Sequence, residues 1–314
     1  MRQYIIRRFL LMIPVFVLLT FSVYSLLILL PGDPVVALVG ENPDPERLEQ
    51  IRKDLGLDRP IYVQYFEWFW RVIQGNLGRS IQTGEPVTEA LKRRFPVTLQ
   101  IGLTGLIVSL AVSLPIGIYS GAKRNSVGDY IAMIFAYFNA ALPSFFLGIL
   151  LIMIFSIGLR WLAPAGYVPL SDDFWQSIKS TIMPSVTLGL GGSAMLVRQI
   201  RSSMIEELGK DYVRTARAKG LSEFTVLTRH ALRNGLIPVV TVLGVQVGYL
   251  LGGAVIVETI FAVPGMGRLA VFAFFQRDLP MAQGVVLVTG AVMLIINFIV
   301  DISYGYLDPR IQYR

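Results

Sequence analysis

The sequence contains no cysteine, one histidine and few charged residues. Without cysteine the chain can form neither disulfides nor thiolate metal sites, and with His230 alone it has no metal site that needs two imidazoles. The pattern GxxxxGK[ST] is also missing. We therefore expect no nucleotide-hydrolysing or other catalytic site, no metal site and no cofactor in this chain.

Charged residues make up 16% of the sequence and hydrophobic residues 54%. A soluble domain carries about 25% charged residues, so this composition indicates a membrane protein. A net charge of +7 could suggest a nucleic-acid partner, but the Lys and Arg residues lie beside apolar runs. That pattern is typical of cationic loops on one side of a membrane, and we expect no nucleic acid.

Six apolar segments predict an all-α polytopic protein with six transmembrane helices. The first, at about 9–30, has no charge and is long enough to cross roughly 30 Å of hydrocarbon. A signal peptide is the competing interpretation, but the run is too long and PGDP after it lacks a small-x-small cleavage site. The other segments lie at about 97–120, 130–159, 182–200, 236–257 and 281–303.

Two of these segments carry special residues. Pro115 and Pro143 are tolerable in spans whose neighbouring helices satisfy the freed backbone groups. The 182–200 segment is rich in small residues, which predicts a helix packed inside the bundle instead of one facing lipid. These small residues are Gly189, Gly191, Gly192 and Ser193.

A polar segment at 31–95 separates the first two spans. Leu48, Ile51, Leu55 and Leu57 share one face of a predicted helix. The aromatic run that follows, QYFEWFWRVIQ, suits packing at a membrane interface better than binding of ligand rings. The whole 31–95 segment contains nine Lys/Arg and ten Asp/Glu, so its positive and negative charges nearly balance. Loops longer than about 60 residues can translocate whatever their charge, so an extracytoplasmic position is allowed.

The distribution of Lys and Arg predicts the orientation. With six spans, the segments on the N-terminal side carry fifteen Lys/Arg, whereas the two short loops on the other side carry four. Both termini and the 198–235 loop should therefore be cytoplasmic. No Asp, Glu, Lys or Arg lies at the middle of a span, since Glu258 and Asp301 are at boundaries. Ion-driven carriers usually need such buried charges, so energy for transport should come from another protein.

The 198–235 loop contains EELGKDYVRTARAKG, which has the composition of a short helix. Its acidic residues come early and its cations late, which suits the helix dipole, and Gly220 fits a helix end that needs a positive φ. Small side chains at Thr215, Ala216 and Ala218 would let a partner approach the backbone. An amphipathic helix lying on anionic lipid is an equally good interpretation of this spacing.

The stretch VRTARAKGLS resembles the EAA loop of binding-protein-dependent ABC importer permeases. That pattern runs Glu-Ala-Ala, three residues, Gly, nine residues and Ile-x-Leu-Pro. Gly220 matches the Gly, but Arg214 and Thr215 replace Glu-Ala, His230 replaces Ile and Arg233 replaces Pro. These departures resemble the dipeptide, oligopeptide and nickel branch. So do LPGDP at 30–34, LGLDRP at 55–60, ETIFAVPGMGRL at 258–269 and YLDPRI at 306–311.

The resemblance implies the type I ABC importer permease fold. It divides the chain into an N-terminal region at 1–95, a permease domain at 96–305 and a cytoplasmic tail at 306–314. It also implies a bacterial or archaeal cytoplasmic (inner) membrane. The implied partners are a second homologous permease subunit, two cytoplasmic ATPase subunits that bind ATP and Mg, an extracytoplasmic peptide-binding protein and membrane lipid.

The same resemblance implies where the ATPase docks and what is transported. The docking residues are Arg214, Thr215, Ala216, Arg217, Ala218, Lys219, Gly220 and Leu221. The implied cargo is dipeptides or short oligopeptides, with nickel or glutathione as the alternative; the sequence identifies no substrate-binding residue. A stand-alone channel or membrane enzyme is disfavoured because no catalytic constellation appears and the loop would lack a purpose.

Two further features have ordinary interpretations. His230 in a basic loop is more often a polar surface or capping residue than a ligand. Gly265 and Gly267 could belong to a phosphate-binding loop, but no Lys–Ser/Thr pair follows them. We expect a turn or re-entrant segment there.

Overall fold

The computed structural model describes residues 2–29 and 58–307, and regular structure within these ranges is helical apart from one isolated bridge between Arg79 and Pro86. The helices are α1 Arg2–Leu29, α2 Ile61–Ile73, α3 Val87–Ala122, α4 Val127–Ala141, α5 Ser144–Leu151, α6 Phe174–Leu208, α7 Asp211–Ala218, α8 Glu223–Thr225, α9 Leu232–Ile260, α10 Met266–Phe275 and α11 Leu279–Leu307. Two π-helical segments, Ile152–Gly158 and Val226–Ala231, continue α5 and α8. The predicted all-α class is confirmed.

Four helices among the described residues are long and apolar enough to cross a membrane. These stretches are Gln3–Ser25, Val87–Ala122, Phe174–Leu208 and Leu279–Ser303. Two bent pairs, Val127–Ala141 with Ser144–Gly158 and Glu223–Leu236 with Pro238–Leu250, bring the number of spans to six when each pair is taken as one. The protein is therefore a multi-pass membrane protein, as the apolar segments predicted.

The third apolar segment departs from the prediction of one helix over 130–159. Its helix ends at Ala141 and resumes at Ser144, and the two parts meet at 102°. Pro143 has no N–H to donate and forces Leu142 into an extended conformation, with φ −75° and ψ 122°. The proline therefore breaks the span sharply instead of being absorbed within it.

Contacts between distant residues assign the helix ends to two sides. Arg8 of α1 forms an ion pair with Asp301 near the end of α11, with 3.1 Å between Nη1 and Oδ2. Gly244 and Gly248 of α9 face Val300 and Met293, so α9 and α11 are antiparallel. The end of α6, helix α7 and the start of α9 thus lie on the same side as Arg8. Helix α2 lies on the opposite side.

The most extensive helix pair is α3 with α6. Along α3, small buried residues recur at every fourth position, at Gly105, Ser109, Ser113, Gly117 and Gly121. A Cβ on Gly121 would stand 2.5 Å from Met204 Cβ, and a Cβ on Gly189 would stand 2.5 Å from the Gly105 carbonyl oxygen. Such contacts require the two backbones to lie very close together.

This pairing confirms that the fourth apolar segment packs inside the bundle, because 67% of an apolar 18-residue stretch of α6 is buried. Helix α6 is longer than the predicted 182–200, since it continues to Leu208. The predicted 198–235 loop is therefore helical at its start, and Arg198 and Arg201 belong to α6. The small residues of α6 were predicted from the sequence to pack closely, whereas their partners on α3 were not predicted.

A buried ion pair fastens α4 to this core on the side of α7. Both Asp129 carboxylate oxygens accept from Arg201, at 2.7 Å from Nε and 2.8 Å from Nη2. Ser120 of α3 and the Asn125 N–H also donate to Asp129, which is 2% exposed. Since one carboxylate joins three helices, α3, α4 and α6 are held as one unit.

On the opposite side, the AVPGMG stretch forms a turn into α10. The Glu258 carboxyl group lies against this turn, where a phosphate would have to bind, since a Cβ on Gly265 would lie 2.2 Å from it. Glu258 Oε2 accepts from the Arg268 N–H at 2.9 Å, and Oε1 accepts from Thr98 Oγ1 at 2.6 Å. The expected turn is therefore confirmed, and the chain's own carboxylate occupies the backbone donors.

Two predictions concern the polar segment. The helix expected around Leu48 to Leu57 lies outside the described residues. The 95/96 boundary falls inside α3, whose first turn packs against α11 through Val87, Leu91, Met281 and Val285. Residues on both sides of the boundary thus share one helix and one apolar cluster.

The close approach of α3 and α6 can be tested by adding a single methyl group. Gly189→Ala places that methyl against a backbone carbonyl that cannot rotate away, so we expect the free energy of unfolding to fall by about 1–3 kcal/mol. The measurement is the thermal unfolding midpoint in detergent. Gly102→Ala is the control, because nothing lies within 4 Å of its Cβ; equal midpoints for the two variants would contradict the packing.

Candidate functional site

The predicted docking residues form a short, sharply bounded helix, α7, between α6 and α8. Asp211 lies in its first turn and Arg217 in its last, which complements the helix dipole. Gly220 then adopts φ +75°. The Gly220 N–H donates to the Arg217 carbonyl at 2.9 Å and the Leu221 N–H to the Ala216 carbonyl at 3.4 Å. This is a Schellman motif, and the positive φ predicted at Gly220 is confirmed.

One face of α7 packs against the protein. Val213 and Ala216 are buried against Val226, with Leu208 at the edge of the cluster. Ala216 is therefore placed differently from expectation: it was predicted to lie open to a partner, but only 5% of it is exposed. The cause is its position three residues after Val213, which puts both on the inner face of the helix.

The opposite face of α7 and the turn after it are open. Arg214 is loosely paired with Asp211 at 3.3 Å, and the side chains are 75% and 94% exposed. The Thr215 hydroxyl donates to the Asp211 carbonyl at 3.0 Å. Seven of the eight predicted residues lie on this exposed surface, namely Arg214, Thr215, Arg217, Ala218, Lys219, Gly220 and Leu221. We call these seven residues the outer face of α7.

An ion pair spans the turn between α7 and α8. Arg217 donates to both Glu223 carboxylate oxygens, at 3.1 Å from Nε and 2.6 Å from Nη2. This hydrogen bonding raises the pKa of the Arg217 guanidinium above its ordinary value. Because both side chains are about half exposed, the pair adds little stability. Its bidentate geometry instead sets the direction in which α8 leaves the turn.

A second network ties α7 to both long helices. The Tyr212 hydroxyl donates to Glu207 of α6 at 2.5 Å and accepts from Asn234 of α9 at 3.1 Å. Lys210 donates to the other Glu207 oxygen at 2.5 Å. Glu207 is 8% exposed, so its charge is met by these partners inside the protein. Movement of α7 must therefore be shared with the ends of α6 and α9.

The same contacts shift two ionisation equilibria. Burial raises the pKa of the Tyr212 hydroxyl, and its hydrogen bond to Glu207 acts in the same direction. The hydrogen bond to Glu207 also raises the pKa of Lys210. Tyr212 therefore stays protonated and Lys210 stays charged near neutral pH, so the network keeps its donors.

Two kinds of residue at this site were not predicted from the sequence. Asn234 follows Tyr212 by 22 residues, so no local pattern signals that it meets Tyr212 and Glu207. Phe224 is the second residue of α8 and is 76% exposed, and Leu221, three residues earlier, is 40% exposed. Large apolar side chains at that exposure are typical of contact surfaces, and the only sequence signal was an aromatic residue in a polar loop.

The arrangement presents a contact surface. His230 lies partly buried in the π-helical segment, and its carbonyl oxygen accepts from Tyr212 at 3.4 Å. Across the described ranges, no group of three His, Cys, Asp or Glu residues stands close enough to bind a metal ion. The site is the exposed face of α7, and the helix is held in place by packing against Val226 and by hydrogen bonds to Glu207 and Asn234.

Comparisons with known proteins agree with this architecture. Residues 113–313 match the family described as "binding-protein-dependent transport system inner membrane component", and residues 1–102 match the N-terminal component of the same systems. In solved structures, the MetNI methionine ABC transporter in inward-facing conformations shares the fold at a TM-score of 0.59 and 14% identity, over 70% of this chain and 96% of that one.

Curated relatives align over the whole chain. A putative peptide transport system permease protein of Brucella abortus (strain 2308) is 41% identical, with 100% of both chains covered. The dipeptide transport system permease protein DppB of Escherichia coli (strain K12) is 39% identical, again over 100% of both. The glutathione transport system permease protein GsiC of Salmonella choleraesuis (strain SC-B67) is also 39% identical over 100% of both.

Among the helices described above, the two family matches leave out only residues 103–112, inside α3, and they include α7 and the helices that anchor it. The relatives cover the whole chain. The chain therefore belongs to the family of inner membrane permease components of binding-protein-dependent transport systems.

Proposed function

We propose that this chain is one permease subunit of an ATP-driven importer and that the outer face of α7 docks on a cytoplasmic ATPase subunit. One observation carries the proposal: a short helix projects from the bundle while hydrogen bonds tie it to α6 and α9. Because α7 is anchored in this way, a displacement of α7 by a partner moves α6 and α9 and is not lost in a flexible loop. The EAA-like sequence lies on this same helix.

The docking surface combines charge with apolar area. Arg214 and Lys219 present cations, while Leu221 and Phe224 present apolar side chains beside the Gly220 turn. Apolar contacts supply affinity when buried, and charges select the partner and its orientation. The partner face should therefore hold an apolar recess rimmed by carboxylates. ATP and Mg would be bound by the ATPase subunits and not by this chain.

Membrane orientation follows from the same proposal. With α7 in the cytoplasm, Arg8 and Asp301 lie at the cytoplasmic ends of their helices and α2 lies outside. The Lys/Arg distribution favours this orientation, with fifteen on the α7 side against four in the short loops opposite. The remaining partners would be a second homologous permease subunit and an extracytoplasmic binding protein.

Dipeptides or short oligopeptides are the cargo that the relatives support best, since two of them are named for peptide transport. Glutathione is the second candidate, because GsiC is as similar to this chain as DppB is. Glutathione is itself a short peptide, so both relatives point to a peptide-like substrate.

Substitution of Gly220 tests the coupling role. Nothing lies within 4 Å of a Cβ at this position, so a larger residue strains the backbone and enlarges the surface without clashing inside the chain. We expect Gly220→Val to lower binding-protein-dependent peptide uptake by about tenfold or more, because φ +75° is a conformational outlier for a β-branched residue. Uptake into proteoliposomes and ATP hydrolysis would be measured together.

Gly220→Asn is the matched control, because Asn tolerates a positive φ and should retain most of the uptake. Membrane insertion of both variants should be normal. Peptide uptake by Gly220→Val at the rate of the unsubstituted protein would show that this turn does not couple transport to ATP hydrolysis.

The cargo is tested through the binding protein that serves this permease. We expect dipeptides to stimulate ATP hydrolysis by the reconstituted assembly, with longer peptides, glutathione and Ni²⁺ as the competing ligands in the panel. Stimulation by glutathione alone would replace the dipeptide assignment with the second candidate. Stimulation by Ni²⁺ alone would rule out both peptide-like cargoes.

A further inference from the structure

Helix α2 carries a stripe of exposed aromatic side chains that transport coupling does not use. Tyr62, Phe66 and Trp70 are 66%, 64% and 62% exposed, and the stripe continues to Ile73 at 56%. Their spacing of four, four and three residues puts them on one side of the helix. A contiguous apolar surface of this kind marks a contact site.

A different side of α2 attaches it to α1. Tyr65 is buried, and its hydroxyl lies 2.9 Å from Thr20 Oγ1. Tyr24 donates to Gln64 Oε1 at 2.9 Å, and its ring lies 5.5 Å from that of Trp68. These contacts fix both the depth of α2 along α1 and its rotation about its own axis.

The depth is that of the membrane interface. Helix α1 ends at Leu29 on the side opposite α7, and its contacts with α2 come from Tyr24, five residues before that end, and Thr20, nine residues before it. At about 1.5 Å per residue, these contacts lie roughly 7.5 Å and 13.5 Å from the end of α1. Interfacial helices bury their apolar face about 5–10 Å into the boundary between headgroups and acyl chains. The Tyr24 contact therefore lies at the depth of an interfacial helix.

The third side of α2 is polar. Glu67 and Arg71 lie four residues apart on this side, and Glu67 forms an ion pair with Arg59. The helix thus has a face packed on α1, an aromatic face and a polar face. All three faces find a suitable environment only where protein, hydrocarbon and water meet, which is the membrane interface. Tyr and Trp are enriched at that level of the membrane.

We propose that α2 is an interfacial helix whose aromatic face, Tyr62, Phe66 and Trp70, is covered by phospholipid of the leaflet opposite α7. The polar face then points to water. Because α2 is bound to α1 through Thr20 and Tyr24, the same lipid contact sets the depth of α1 in the membrane.

The test uses nitroxide labels, because the chain has no cysteine of its own to block. Phe66→Cys places a label on the aromatic face, and Glu67→Cys, the adjacent residue, places one on the polar face as the matched control. Both variants would be measured in the full-length chain in lipid nanodiscs, alone and within the transporter assembly. The readout is the accessibility of each label to oxygen, which concentrates in lipid, relative to a water-soluble nickel chelate.

We expect the oxygen-to-chelate accessibility ratio to be about threefold or more higher at position 66 than at position 67, alone and in the assembly. Equal access of both labels to the chelate would overturn the proposal. So would a label at 66 that neither reagent reaches in the assembly, because a protein subunit would then cover the stripe. Tyr62→Cys gives the same comparison from a second position on the aromatic face.

Discussion

The close packing of α3 against α6 is the constraint on which the rest of the structure depends. Glycine or serine at every fourth position of α3 removes side chains from the interface, so the backbones approach until a Cβ on Gly121 would overlap Met204. Within a bilayer the hydrophobic effect does not drive helices together, and close van der Waals contact of this kind takes its place. The Asp129–Arg201 pair then adds α4 to the same unit.

This rigid core determines what α7 can do. Helix α6 runs without interruption from the α3 contact to Leu208, two residues before the Lys210 that caps α7. Glu207 and Tyr212 continue that connection by hydrogen bonds, and Asn234 returns it to α9. In contrast, the span formed by α4 and α5 is broken at Pro143, and α9 itself bends around Pro238, beyond Asn234. The fold thus connects α7 to the core through the uninterrupted helix α6, whereas two other spans are bent.

The sequence predicted those features that depend on local chemistry. Long apolar runs predicted the membrane spans. Gly220 predicted the end of α7, because a positive φ after a helix strongly favours glycine. The small residues at every fourth position of α3 are visible in the sequence, but only the structure shows that they face α6. Ala216 was placed on the wrong face because Val226, which covers it, comes from another turn. The bond between Asn234 and Tyr212 could not be predicted, since these residues are 22 positions apart and their pairing leaves no local pattern.

The central claim is that α7 contacts an ATPase subunit through its outer face and not through Ala216. A cysteine-free chain allows this to be measured directly, by disulfide cross-linking from single cysteines to a cysteine on the ATPase surface. The account predicts efficient cross-links from Thr215→Cys and Ala218→Cys, which are exposed, and little from Ala216→Cys, which is buried. Cross-linking from Ala216→Cys equal to that from Ala218→Cys, or none from either exposed position, would contradict it.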